Sequence, residues 1–164
     1  MHPAPTLPDD DARLTVLHDL QLLDTPPEPR FGELVELAAF IAHTPIAAMT
    51  LIDEDRQWFK ASIGLAIPGS GRDISFCGHT IADHRLMVVP DTLTDERFVD
   101  NPFVAGEPHV RFYAGVPLDV DGHRIGTLCV LDTRPRTFLS DERRALEILG
   151  RQVEAQLHLR RAGH

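Results

Sequence analysis

The stretch "RFYAGVPLDVDGHRIGTLCVLD", Arg111 to Asp132, narrows the possible folds more than any other. Two apolar runs flank Asp121-Gly122, a dipeptide that tolerates the left-handed backbone a tight hairpin turn demands. The chain thereby commits two consecutive strands to antiparallel pairing, and their near-continuous apolar character suits the middle of a sheet. A second hairpin is legible in "IAAMTLIDEDRQWFKASIG". It has an apolar run from Ile46 to Ile52, a polar turn at Asp53 to Asp55, and a strand from Gln57 to Ile63 that carries Trp58, placed to cover a pocket or a partner. Strands that arrive as hairpins, rather than alternating singly with helices, argue for an antiparallel α+β sheet over a doubly wound parallel one.

Helical periodicity brackets these hairpins. Leu14, Leu17 and Leu20 share one stripe, which Pro26, Pro27 and Pro29 end. Phe31, Leu34, Leu37, Ala38 and Ile41 make a second stripe that stops before Pro45. Near the C-terminus, Ser140 is a candidate helix cap with Asp141 and Glu142 placed favourably against the positive helix end. There Leu146, Leu149, Val153 and Leu157 form a stripe suited both to packing on the chain's own sheet and to pairing across a dimer. Between the hairpins lie a glycine-rich loop from Gly64 to Asp73, the stretch "SFCGHTIADHR" with Ser75 as a helix cap, the short strand "LMVVPD", and a connection up to Val110. That connection is long enough to carry binding groups.

Composition removes several function classes. A length of 164 residues suits one domain, and no apolar run approaches the ~20 residues needed to cross a bilayer. A formal net charge of -9 works against attraction to nucleic acid or an anionic membrane surface. Two cysteines, Cys77 and Cys129, are too few for a disulfide framework, and with no signal sequence legible the expected compartment is a reducing cytoplasm. A bond between those two remains open at this level. Residues 1–11 read as a flexible, proline-rich, acidic leader whose Asp9 to Asp11 are solvated or act as helix N-terminal charge, and residues 162–164 as a tail.

Several stretches, in order and spacing, resemble the GAF sensory domains found alone or ahead of histidine kinase and diguanylate cyclase modules in bacteria. They are "LLDTPPEPRFGELVELAA", "LIDEDRQWFKASIGL", "ISFCGHTI", "VVPDTLTDERFVDNPFV", "RFYAGVPL" and "GTLCVLDTRPR". The resemblance implies a single GAF domain over residues 12–161, with a PAS-like six-stranded antiparallel sheet, helices on one face and a loop-covered pocket on the other. It also implies a non-catalytic sensor that binds a small molecule or partner and signals through terminal helices in a homodimer, with a histidine kinase or diguanylate cyclase as possible partner. No cofactor is expected. "GRDISFCGHTI" is also faintly similar to the cysteine turn of free methionine-(R)-sulfoxide reductases. The alternatives to a sensor are therefore a thiol enzyme of that kind and a ligand-free interaction module.

The candidate ligand-binding residues are Arg72, Ser75, Phe76, Cys77, His79, Arg97, Phe98, Arg111, Phe112 and Tyr113. Arginine forks suit a carboxylate or phosphate, and aromatic faces suit apolar ligand surface. Each has a plainer role open to it: Arg97 and Arg111 can pin the long loop through Asp91 or Asp95, and Phe112 can belong to the core. Cys77 in a first helical turn is a conceivable nucleophile, or a small buried residue packing the helix on the sheet. His79 and Asp83, four apart, are the expected pair on that helix. Cys129 reads as core, so the reductase alternative lacks a partner thiol. No metal site is expected, because Cys77, His79 and His84 match no paired ligand spacing.

Overall fold

The computed structural model describes residues 1–83 and 85–162. The expected hairpins form β1, Ile46–Ile52, with β2, Arg56–Ile63, and β5, Phe112–Val120, with β6, His123–Asp132. Asp121 and Gly122 both take positive φ, 53° and 81°, between the facing residues Val120 and His123, which is the turn this dipeptide favours. β1 and β6 pair antiparallel at the centre, and the six strands run β3-β2-β1-β6-β5-β4, with β4 at Met87–Val89. The sixth strand, β3, Gly69–Gly71, lies inside the stretch read as loop. Three residues without a large side chain carry no strand periodicity, and only the free edge of β2 organises them.

Strand alternation sorts the core into two layers. Ala47, Met49 and Leu51 of β1, Phe112, Ala114 and Val116 of β5, and Leu128 and Val130 of β6 face one way. On that side pack α1, Asp10–Asp19, α2, Pro29–Ala42, and α5, Ser140–Ala162. The stripe of α2 is rotated from the expected one: Phe31, Val35, Ala38 and Ala42 are buried, whereas Leu37 is 42% exposed. Leu146, Leu149, Val153 and Leu157 of α5 are all buried in this layer, so none is free for a dimer. α5 begins at Ser140 itself, and the Leu139 amide donates to Glu142 Oε1 at 2.8 Å, so the returning carboxylate does the capping expected of Ser140.

The other sheet face is covered by α3, Phe76–Thr80, by a 3-10 turn at Thr92–Thr94 and by α4, Pro102–Ala105, the last two inside the long connection. Of residues 1–11, expected to be a flexible leader, Asp10 and Asp11 open α1, and the segment holding His2, Ala4 and Leu7 lies against this cover. Leu7 is buried, the His2 amide donates to the Arg97 carbonyl, and the Ala4 amide donates to the Asp73 carbonyl. Gly78 makes that contact possible, because a Cβ there would meet Ala4 Cβ and Ser75 Oγ at 2.6 Å each. Asp9 and Asp10 also depart from the solvated reading: Asp9 pairs with His123 at 2.6 Å, and Asp10 is buried between Arg13 and Arg72. Among the described residues no helix is long and apolar enough to cross a membrane.

Candidate functional site

Between the sheet and the loop cover lies a cavity of about 40 Å³. Its floor is Ala48 and Thr50 of β1, Gln57 and Phe59 of β2, Tyr113 of β5, and Cys129 and Leu131 of β6; its roof includes Leu65, Ile67, Phe76, Cys77, Phe103 and Pro108. A single water needs roughly 10–15 Å³ of such space, so the cavity admits only a few water-sized molecules. Anything larger must displace Leu65, Ile67 or Phe103, side chains on non-strand cover, of which Ile67 is already 40% exposed.

Ser75 caps α3, accepting from the Gly78 amide at 3.0 Å and donating to the Arg72 carbonyl at 2.6 Å. That cap sets the first turn so that Cys77 aims at the sheet. There its sulfur meets a cage of polar groups: Thr127 Oγ1 donates to Cys77 Sγ at 3.0 Å, Tyr113 Oη lies at 3.3 Å, and Cys129 Sγ at 3.8 Å. Two relays feed the cage, with Thr50 Oγ1 at 2.9 Å from Thr127 Oγ1 and Thr80 Oγ1 at 2.7 Å from Tyr113 Oη. Burial opposes a thiolate on Cys77, yet hydrogen bonds from Cys129, Thr127 and Tyr113 outweigh it and lower its pKa to about 7. Cys129 is pushed well up, first by its hydrogen bond to Cys77 and then by burial, and burial together with the neighbouring thiols raises Tyr113. Of the two thiols Cys77 is therefore the more acidic.

Cys129 is buried in the core, as the sequence indicated, but the expectation that Cys77 lacks a partner thiol is corrected, because the two sulfurs lie 3.8 Å apart. The signal was present in strand alternation, since Thr127, Cys129 and Leu131 share one face of β6 while Leu128 and Val130 take the other. Sequence analysis also missed Thr50, Gln57 and Phe59, which reach the cavity through the same alternation on β1 and β2.

Of the ten candidate residues, Phe76, Cys77 and Tyr113 line the cavity. Phe98 is buried behind Phe76, with ring centroids 4.5 Å apart. Phe112 is a correction: it faces the helices and packs on Phe138 at 5.5 Å, because its strand neighbour Tyr113 takes the cavity side. The arginines pin loops. Arg97 bonds Asp95 at 2.7 Å, Arg111 bonds Asp91 at 3.1 Å, and Arg72 grips Asp10 with two bonds of 2.8 and 2.9 Å. His79 leaves the cavity, its Nε2 lying 3.0 Å from the His2 carbonyl oxygen and its ring edge-on to Phe98. The expected His79–Asp83 pairing does not form on α3, because that helix ends at Thr80. Trp58 also sits on the helix side, packed against that core. Among the described residues no three metal-ligating side chains converge, and His84, named with Cys77 and His79 as a candidate ligand, lies outside them.

Comparison with known proteins fits this arrangement. The chain is 41% identical over 161 residues to a cyclic di-GMP phosphodiesterase of Pseudomonas aeruginosa, covering 96% of this chain and 27% of that protein, so it spans about a quarter of its relative's length. Its fold matches the GAF domain of an Acinetobacter phosphoenolpyruvate-protein phosphotransferase at a TM-score of 0.69 and 20% identity, covering 93% of this chain and 96% of that one. It also matches the free methionine-R-sulfoxide reductase of Neisseria meningitidis, solved with its substrate, at a TM-score of 0.69 and 19% identity over the full length of both chains. All three of these proteins are named as enzymes, one of them matched through its GAF domain, so the comparisons lend no support to the expectation of a non-catalytic chain. The sequence profile of the GAF domain matches residues 26–157. With the α+β six-stranded sheet in place, the chain belongs to the GAF domain family.

Proposed function

We propose that this GAF domain is a cytoplasmic sensory module that takes its input at the cavity side of the sheet and passes it to the helix side. What carries the reading is that each central strand serves both layers. Ala48 and Thr50 of β1 border the cavity while Met49 and Leu51 between and beside them hold the helix core. A ligand that shifts those strands on one face alters the seat of α2 and α5 on the other, a two-state element of the kind a ligand can bias. The input is a small molecule or partner segment with an apolar surface, which parts the cover at Leu65, Ile67 and Phe103. Arg97 and Arg111, already engaged with carboxylates, shape that cover.

The output is a homodimer through the outer faces of α2 and α5, where Leu37, Phe40, Ile148 and Leu159 are exposed, Phe40 by 73%. Its regulated partner is an enzyme of cyclic dinucleotide turnover or a histidine kinase, the first supported by the named activity of the Pseudomonas relative. A thiol enzyme acting on free methionine sulfoxide ranks second. The pair Cys77 and Cys129 favours it, but Arg97 and Arg111, the forks suited to an amino acid's carboxylate, are already engaged with Asp95 and Asp91.

Sedimentation and a heat-shift screen with Trp58 emission test the sensor. The expected outcome is a dimer that Phe40→Glu dissociates, and a binder that raises the melting temperature and moves the emission of Trp58 on the far side of the sheet. A monomer with no binder, or thiol-dependent reduction of free methionine sulfoxide lost in Cys77→Ser, would sink it.

A further inference from the structure

We propose that Cys77 and Cys129 are a peroxide-oxidisable dithiol that closes to a disulfide at the cavity wall, tying α3 to the central strand β6. Two buried sulfurs lie 3.8 Å apart on α3 and β6, elements distant in sequence and joined by no covalent link, and a disulfide brings such a pair to about 2.05 Å. Both border a cavity of about 40 Å³, which takes a molecule of two oxygens and excludes larger thiol reagents. Thr127 donates to Cys77 and the Tyr113 hydroxyl lies within hydrogen-bond reach of it, surroundings that favour a thiolate there and give the roles an order: Cys77 attacks and Cys129 resolves.

The oxidant is hydrogen peroxide or a similarly small hydroperoxide. The Cys77 thiolate attacks one peroxide oxygen; an S–O bond forms, the O–O bond breaks, and hydroxide leaves, leaving a sulfenic acid on Cys77. Cys129 sulfur then attacks Cys77 sulfur; the S–S bond forms, the S–O bond breaks, and water leaves with the proton that Cys129 gives up. In sum two thiols lose two electrons and two protons, and peroxide is reduced to two waters. The titratable groups that face Cys77 are Cys129 from β6 and Tyr113 from β5, while Thr50, Thr80 and Thr127 complete its surroundings without charge. Closure withdraws Cys77 from Tyr113 and Thr127 and so loosens both relays, which couples oxidation to the cavity. The chemistry stands apart from the sensory reading: a domain that bound no ligand and never dimerised would still form the bond.

The test is stoichiometric peroxide added to the reduced, folded protein, followed by intact mass and peptide mapping. Expected are the loss of two hydrogens, a linked peptide pair carrying Cys77 and Cys129, and full reversal by dithiothreitol. Cys129→Ser halts at a dimedone-trapped sulfenic acid on Cys77, and Cys77→Ser reacts at least about tenfold more slowly. Because either serine variant can misfold, the wild-type rate is also followed against pH. With the Cys77 pKa near 7, the rate climbs about tenfold between pH 6 and pH 8 and levels above that, whereas in denaturant it keeps climbing. A bond between two copies, oxidation confined to methionine, equal rates in Cys77→Ser, or a folded-state profile that matches the denatured one would each overturn the proposal.

Discussion

Tyr113 and Gly115 explain why the motif "YAG" reads as it does. A Cβ at Gly115 would lie 2.2 Å from the Tyr113 hydroxyl, so the small residue lets the ring fold over its own strand and bring that hydroxyl to Cys77 and Thr80. Tyr113→Phe keeps the ring's stacking on Phe76, 5.2 Å between centroids, and removes only the donor. Thr80 retains the Phe76 carbonyl as acceptor, so the expected loss is about 1 kcal/mol, read as a melting point lower by roughly 2–4 °C. The same variant takes one donor from the Cys77 thiolate, so the midpoint of its ultraviolet thiolate absorbance moves above 7. An unchanged midpoint would mean that Thr127 and Cys129 alone set the acidity. At this scale the sequence named Cys77, Phe76 and Tyr113 but not the residue facing them. Local spacing reports neighbours along the chain, whereas Cys77 and Cys129 meet only because β6 lies under α3.

Lys60 shows the same limit between elements. The pairing of β1 with β2 shifts between Met49 and Thr50, which face Ala61 and Phe59, so Lys60 bulges out of register toward the helices. Its ammonium lies 2.7 Å from Glu28 Oε2, and Arg160 near the end of α5 reaches the same carboxylate at 3.0 Å. One acid at the start of α2 thus joins the bulge of β2 to α5. Burial works against the Glu28 carboxylate, but the bonds from Lys60 and Arg160 prevail and hold its pKa below the usual value. Glu28→Gln leaves a cation enclosed. Its expected cost is about 2 kcal/mol, below the 3–5 kcal/mol of a fully buried pair because Glu28 keeps 23% exposure. Chemical denaturation at neutral pH measures it, and a variant as stable as the parent would show that the fold relaxes around Lys60. The hairpins, α2, α3 and α5 were legible because turn chemistry and apolar period agree at each. The bulge, β3 and α4 were not, since tertiary edges rather than local pattern create them.

Across the whole molecule the carboxylates decide how the fold answers to acid. Burial opposes ionisation of Asp10, Glu28 and Asp53, yet Arg72 and Arg13, Lys60 and Arg160, and His18 and Arg56 lower all three; Arg97 lowers Asp95. Each binds its proton less readily folded than unfolded. Their stabilisation is therefore complete above the unfolded values of about 4 and is lost as pH falls through the lower folded ones. His79 works at higher pH: burial lowers its pKa, so the unfolded chain takes up the proton first and stability begins to slip below about pH 6.5. Melting temperature should thus decline gently from about pH 6.5 and steeply below about pH 4, and His79→Gln should flatten the first part alone. A single steep fall centred near pH 6 would overturn this division between the histidine and the carboxylates. The anchors sit where the layers meet: Asp10 joins α1 to the cover through Arg72, and Glu28 joins α2 to α5 and the sheet. Acid should therefore separate the layers before it disrupts the central pairing of β1 with β6, and hydrogen exchange at about pH 4 would find β1 and β6 amides protected after those of α1 and α2 have opened.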